Sequence, residues 1–253
     1  MFAPIVLRPF ESYNSTFIVQ GKVDKSKKVK RPPQDTFLRD EAALLSLRVM
    51  FFRQVQQHGD NFSYVIADDA TREAAVVDSS FNAGEIMHIL KTGNFTLKYI
   101  INTHSHSDHT AGNQELQSLF GAKIVAHNLS KINAEVKVND GDTINVGNVS
   151  IKVIYTPGHT ADSICLLIDG KKLLTGDTLF VGEYGRTDLP SGNSRSMYDS
   201  LFNKLLTFGD NLEVYPGHDY GTKPSSTLGD ERRSNYTLQP RSLAEFIEFM
   251  REP

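Results

Sequence analysis

Asn102-Thr103-His104-Ser105-His106-Ser107-Asp108-His109 places four side chains able to bind a metal within six residues. The string closes Leu97–Asn102, a short, almost wholly apolar run that reads as a buried strand. On an extended segment His104 and His106, two apart, point to the same side. Asp108 and His109 then fall at the turn into a helix expected over Thr110–Phe120, where Asp also serves as a cap. The bland alternative is a polar loop with Asp108 as a simple cap. Four donors converging at a strand end, where α/β proteins commonly place their sites, argue instead for metal binding.

Three later loops extend the pattern. Tyr155–Thr160 (YTPGHT) carries His159, Leu174–Leu179 (LTGDTL) carries Asp177, and Tyr215–Asp219 (YPGHD) carries His218, each after a β-like run. Any one of them reads equally well as a plain turn. Together they leave five of the eight histidines in strand-end loops. Mixed imidazole and carboxylate donors suit zinc, iron or manganese, whereas calcium and magnesium prefer oxygen alone.

Outside these loops the chain alternates strand and helix signals. Strands are expected at Val49–Val55, Phe62–Ala67, Glu73–Asp78, Lys123–Ala126, Thr143–Val146, Val149–Tyr155, Ile164–Ile168, Lys172–Thr175 and Leu212–Tyr215. Helices are expected at Asp35–Leu47, Gly84–Lys91, Met197–Phe208 and Ser242–Arg251. Continuous apolar strands between helices imply sheets covered on their faces. Two such halves packed face to face give the expected fold, a four-layer αβ/βα sandwich.

Composition bounds the remaining options. The 253 residues, 39% apolar with a net charge of −3, suffice for a real core and do not suggest a dedicated nucleic-acid binder. No apolar run approaches the roughly 18 residues of a membrane span. The single cysteine, Cys165, excludes an intrachain disulfide framework and reads as a buried core thiol. Residues 1–33 carry seven basic residues against two acids, and Lys25–Pro33 (KSKKVKRPP) reads as a linker or surface arm. The expected division is therefore an N-terminal extension over 1–48 and a catalytic domain over 49–253. A cytoplasmic location is expected, with organelle targeting through the basic segment as the alternative. Apolar residues within Phe2–Phe10 would allow docking in a homodimer.

The ligand-bearing segments, in order Asp78, His104–His109, His159, Asp177 and His218, resemble those of the metallo-β-lactamase superfamily over about Val49–Glu252. That resemblance implies the αβ/βα fold. In dinuclear members His104, His106 and His159 would hold one metal, Asp108, His109 and His218 the other, with Asp177 bridging. Phe52-Arg53-Gln54, Phe62–Asp68, Thr71–Asp78, Gly185-Arg186-Thr187-Asp188 and Tyr215–Tyr220 leading to Glu231-Arg232-Arg233 resemble the persulfide dioxygenases. This implies one Fe(II) held by His104, His159 and Asp177, a two-His-one-carboxylate face with positions left for a glutathione-type persulfide and O2. His106, Asp108, His109 and His218 would then orient ligands from outside, as would Asp78 and Asp219. Asp78 would act on His104 or His106. Arg186 would clamp a substrate carboxylate, unless Asp188 engages it, and Tyr220 would line the pocket.

One departure is that Leu189-Pro190-Ser191-Gly192 follows the Gly185–Asp188 segment where persulfide dioxygenases usually have an aromatic. The rival is a glyoxalase II-like hydrolase of a thioester, with zinc or a dinuclear centre. The 35 residues after His218 leave no room for the helical C-terminal domain usual in those enzymes. A non-catalytic or redox-relay member is a third reading, weakened because no ligand is missing.

Overall fold

The computed structural model describes residues 49–251, so the basic segment and the helix expected at Asp35–Leu47 lie outside the described residues. Twelve strands among the described residues form two six-stranded sheets. The first runs in chain order: β1 (Met50–Gln56), β2 (Phe62–Asp68), β3 (Glu73–Val77), β4 (Thr96–Ile101), β5 (Lys123–His127) and β6 (Val136–Val138). β1, β2 and β3 pair antiparallel, whereas β3 to β6 pair parallel. The second sheet is built from β7 (Thr143–Val146), β8 (Val149–Tyr155), β9 (Ile164–Ile168), β10 (Lys172–Gly176), β11 (Glu213–Pro216) and β12 (Ser226–Thr227). Only β10 and β11 pair parallel there.

The apolar strands are continuous because both faces are buried, and alternation assigns their residues to different cores. Phe62, Tyr64 and Ile66 of β2 face the second sheet and pack with Ile151, Val153 and Leu166. Val65 and Ala67 of the same strand face the opposite way, with Ile86 and Leu90 of α1 (Ala83–Thr92) and Leu116. A third core sets Cys165, Leu173 and Val214 against Met197, Leu201, Leu228 and Phe246. Three cores between four layers are the αβ/βα sandwich that the sequence leads one to expect.

Two expected helices are interrupted. The Thr110–Phe120 segment is a short turn, α2 (Ser107–Thr110), followed by α3 (Asn113–Phe120). At the break, a Cβ on Gly112 would sit 2.8 Å from Ser80 O and 2.9 Å from Ser79 O, so only glycine permits this close approach. The Met197–Phe208 segment begins as α4 (Ser194–Tyr198), then widens over Asp199–Lys204 and tightens over Leu205–Thr207. Sequence reading misses β6, β12 and α5 (Leu228–Ser234). The last helix, α6 (Leu243–Phe249), starts with a capping box between Ser242 and Glu245.

Asp78 follows β3, His104 follows β4, His159 follows β8, Asp177 follows β10 and His218 follows β11. The sandwich thereby delivers residues far apart in sequence to one cluster.

Candidate metal centre

His106 turns Nδ1 toward Nε2 of His104 and Nε2 of His159, at 3.0 Å from each. Asp177 Oδ2 lies 3.4 Å from His159 Nε2 and 3.9 Å from His104 Nε2. The same oxygen is 3.3 Å from His218 Nε2, while Oδ1 is 3.3 Å from His109 Nε2. Asp108 Oδ2 sits 3.4 Å from both His109 Nε2 and His218 Nε2. The seven side chains thus fall into three overlapping donor groups: His104/His106/His159, His104/His109/Asp177 and Asp108/His109/His218. Asp177 stands between the outer two.

Hydrogen bonds on the far side of four of the five rings select which nitrogen faces inward. His159 Nδ1 donates to Arg186 O at 2.8 Å, His109 Nδ1 lies 3.0 Å from Asp78 Oδ2, and His218 Nδ1 lies 3.1 Å from Asp60 Oδ1. His104 is oriented at one remove. Thr103 Oγ1 donates to Asp78 Oδ2 at 2.7 Å and so accepts from His104 Nδ1 at 3.1 Å. These four rings therefore turn Nε2 to the centre, whereas His106 presents Nδ1. Asp78 also accepts from Thr103 N at 2.8 Å, and its own backbone has a positive φ of 51°. The structure corrects the expected target of Asp78: it touches His109 directly and His104 through Thr103, and it makes no bond to His106.

Electrostatics show where the cluster draws positive charge. Burial holds His104 well below the usual imidazole range, and the neighbouring histidines push the same way against Asp177. Burial also opposes charge on His109, but Asp177 and Asp78 outweigh it and raise the pKa. His218 is raised to about 10, burial opposing and Asp108 and Asp177 prevailing. Asp177 is held well below the carboxylate range despite its burial, by His109 and His104. The centre calls for positive charge.

The residues fit a transition-metal cation. Nε2 of His104 and of His159 both lie 3.0 Å from His106 Nδ1, where one proton can serve only one of them and a cation among the three serves all. Most donor spacings, 3.0–3.4 Å, are close to the edge of about 3.3 Å expected for tetrahedral bonds of roughly 2.0–2.1 Å, while His104 Nε2 and Asp177 Oδ2 stand wider at 3.9 Å. Asp177 Oδ1 is buried and accepts no hydrogen bond, the contact with His109 being poorly aligned for one.

Around the centre, sequence reading and structure part in places. Asp108 does not cap a helix: His106 occupies the N-cap position, and Asp108 instead accepts from Asn61 Nδ2 at 3.0 Å. Asp219 contributes its backbone N–H to Asp60 O at 2.7 Å, and the carboxylate orienting His218 belongs to Asp60. The Arg186 guanidinium is held bidentate by Asp188, with Nε to Oδ1 at 2.6 Å, and both side chains are exposed. What Arg186 gives the centre is its carbonyl. Tyr220 stacks on His218 with ring centroids 4.9 Å apart and meets Phe180 edge-on. His127 is buried and stacked on Tyr155. Cys165 is buried, which pushes its thiol up to about 11.

The segment between Asp177 and Arg186 is clamped by a carboxylate that enters the sequence reading only within a resemblance, with no role of its own. Buried Glu231 accepts from Gly182 N at 2.8 Å and from Asn235 Nδ2 at 2.9 Å. Asn235 also donates to Glu183 O at 3.2 Å. The loop then folds back so tightly that a Cβ on Gly185 would lie 1.8 Å from Asp177 O. No side chain fits there.

Among known proteins, a family model described as the metallo-beta-lactamase superfamily matches residues 58–135 and 129–218. The chain is 34% identical over 195 residues to the mitochondrial persulfide dioxygenase ETHE1 of Homo sapiens, covering 75% of each. It is also 34% identical over 196 residues to a hydroxyacylglutathione hydrolase of Pelagibacter ubique, covering 75% of this chain and 80% of that one. The crystal structure of ETHE1 from Myxococcus xanthus superposes with a TM-score of 0.77 at 36% identity, covering 80% of this chain and 91% of that one.

Proposed function

The chain belongs to the metallo-beta-lactamase superfamily, and we propose that within it the protein is a non-heme iron persulfide dioxygenase that oxidises a glutathione-type persulfide to sulfite. The observation that carries this reading is its likeness to ETHE1 of Myxococcus xanthus at 36% identity and a TM-score of 0.77. In the overall reaction, persulfide, O2 and water give thiol and sulfite, with four electrons passing from sulfur to O2.

His104, His159 and Asp177 would hold one Fe(II), which when bound supplies the redox chemistry and the open positions at which sulfur and O2 meet. The chain's own residues do the rest. Thr103 and the Arg186 carbonyl fix the tautomers of His104 and His159. His106, Asp108, His109 and His218 surround the site with hydrogen-bonding groups, and Tyr220 with Phe180 screens one side of the mouth. No helix among the described residues is long and apolar enough to cross a membrane. The mitochondrial name of the human relative supports the organelle-targeting alternative to a cytoplasmic location.

A second reading is favoured by one observation: Asp108, His109 and His218 form a further donor group beside the first. Filled with two zinc or iron ions and bridged by Asp177, the centre would suit attack on a thioester carbonyl. Oxygen-electrode assays with glutathione persulfide, run beside S-lactoylglutathione hydrolysis and metal analysis, separate the two. O2 uptake with about one iron per chain is expected. Fast hydrolysis without O2 uptake by iron-loaded protein would defeat the dioxygenase reading.

A further inference from the structure

Asp177 is registered to two histidines by its neighbours in the chain, one on each side. Gly176, at a φ of 47°, lies so close to Thr103 that a Cβ there would come within 2.6 Å of its Oγ1. Thr103 in turn orients His104. On the other side, Thr178 Oγ1 lies 3.0 Å from the Oγ1 of Thr156, which follows β8 and opens the loop carrying His159. Both threonines are fully buried.

Counting protons gives this contact a direction. The Cys165 thiol donates to Thr175 O at 3.5 Å, so its sulfur accepts from Thr156 Oγ1 at 3.3 Å. With its proton so used, Thr156 Oγ1 accepts from Thr178 Oγ1. Three hydrogen bonds thus run one way, from the turn after Asp177 through the His159 loop to β9 and back to the end of β10. They end in an apolar core that holds Cys165 with Ile154, Leu173 and Leu179. Valine has the outline of threonine and would fill such positions with no hydroxyl to satisfy. A satisfied polar pair instead fixes one arrangement where apolar packing alone allows several. We propose that Thr156 and Thr178 are positioning residues of the metal centre, joining the turn of Asp177 to the loop of His159 so that these two donors keep one separation. The proposal rests on His159 and Asp177 sharing a metal, which the mononuclear and dinuclear readings have in common.

Cobalt(II), titrated into the metal-free full chain against a chelator, tests it without turnover. It reports affinity and, through its visible ligand-field bands, the geometry of the donors. Thr178→Val and Thr156→Val are each expected to weaken cobalt binding about 10–100-fold and to shift the bands. The double variant should lose little more than Thr156→Val alone, because the two hydroxyls act as one contact. Thr178→Ser keeps the hydroxyl and should bind and absorb as the wild type does. Wild-type affinity and bands in Thr178→Val, even with a lowered melting temperature, would make the pair structural and overturn the proposal. So would single-variant losses that multiply in full in the double variant. Asp177→Ala is the control for the ligands themselves. Undiminished cobalt binding there would defeat the ligand reading, and the proposal with it.

Discussion

Four of the five rings at the centre, all but His106, are committed by a single contact on the far side, and those contacts allow the ligand assignment to be tested residue by residue. Thr103 reaches His104 Nδ1, whereas Asp60 reaches His218 Nδ1. If iron sits on His104, His159 and Asp177, loss of the Thr103 hydroxyl should matter and loss of the Asp60 carboxylate should not. Thr103→Val keeps the shape of the buried side chain and is expected to weaken metal affinity about 10–100-fold in a chelator competition. Asp60→Ala, at a half-exposed position, is expected to leave both affinity and stoichiometry unchanged. Loss of metal from Asp60→Ala would point to His218 as a ligand and to the dinuclear centre. The donors themselves were legible in the sequence because imidazoles cluster at the ends of apolar strands. Of their partners only Asp78 was. Asp60, Thr103 and the Arg186 carbonyl have no characteristic spacing from the rings they orient, and a backbone carbonyl leaves no mark on residue identity at all.

Among the elements, strands with both faces buried announced themselves as apolar runs, and β7, β8 and β9 were read to their ends. α5 went unread because LGDERRS has no apolar period: its start is fixed by Thr227 accepting from Asp230 N at 3.1 Å, and it buries Leu228, Gly229 and Glu231. That element nevertheless supports the centre, since Glu231 holds the loop linking Asp177 to the carbonyl that orients His159. Glu231→Ala would leave Gly182 N and Asn235 Nδ2 without their shared acceptor, at a cost of about 1–3 kcal/mol for each buried group. In a domain of this size the melting temperature should fall by roughly 2–4 °C per kcal/mol. Activity should fall further than that loss explains, as kcat, because His159 is no longer fixed. Glu231→Gln retains one accepting oxygen and is expected to recover most of both. A drop in melting temperature with kcat intact would make Glu231 structural only.

At the scale of the whole molecule, the two sheets are joined by polar contacts as well as by the core between them. Asp68, at the end of β2, accepts from Asn148 N at 2.9 Å and Asn148 Nδ2 at 2.7 Å, in the turn between β7 and β8. Glu73 adds a bond from Gly147 N at 3.0 Å. Burial pushes the Asp68 carboxyl up, but hydrogen bonds from Asn148, Ala70 and Thr71 outweigh it and hold the pKa below the ordinary value. A carboxyl whose folded pKa is depressed contributes stability that is fully present above its unfolded pKa of about 3.9. That contribution is lost as pH falls through the folded value. Asp68→Asn cannot titrate and keeps only one accepting oxygen, so it is expected to be about 1–3 kcal/mol less stable than the wild type at pH 7. Urea unfolding of both proteins at pH 7, 5, 4 and 3 isolates this one group, because every other carboxylate cancels in the difference. The gap should hold from pH 7 to 5 and close below about pH 4. A gap that stays constant down to pH 3 would show that Asp68 joins the sheets by packing rather than by its charge.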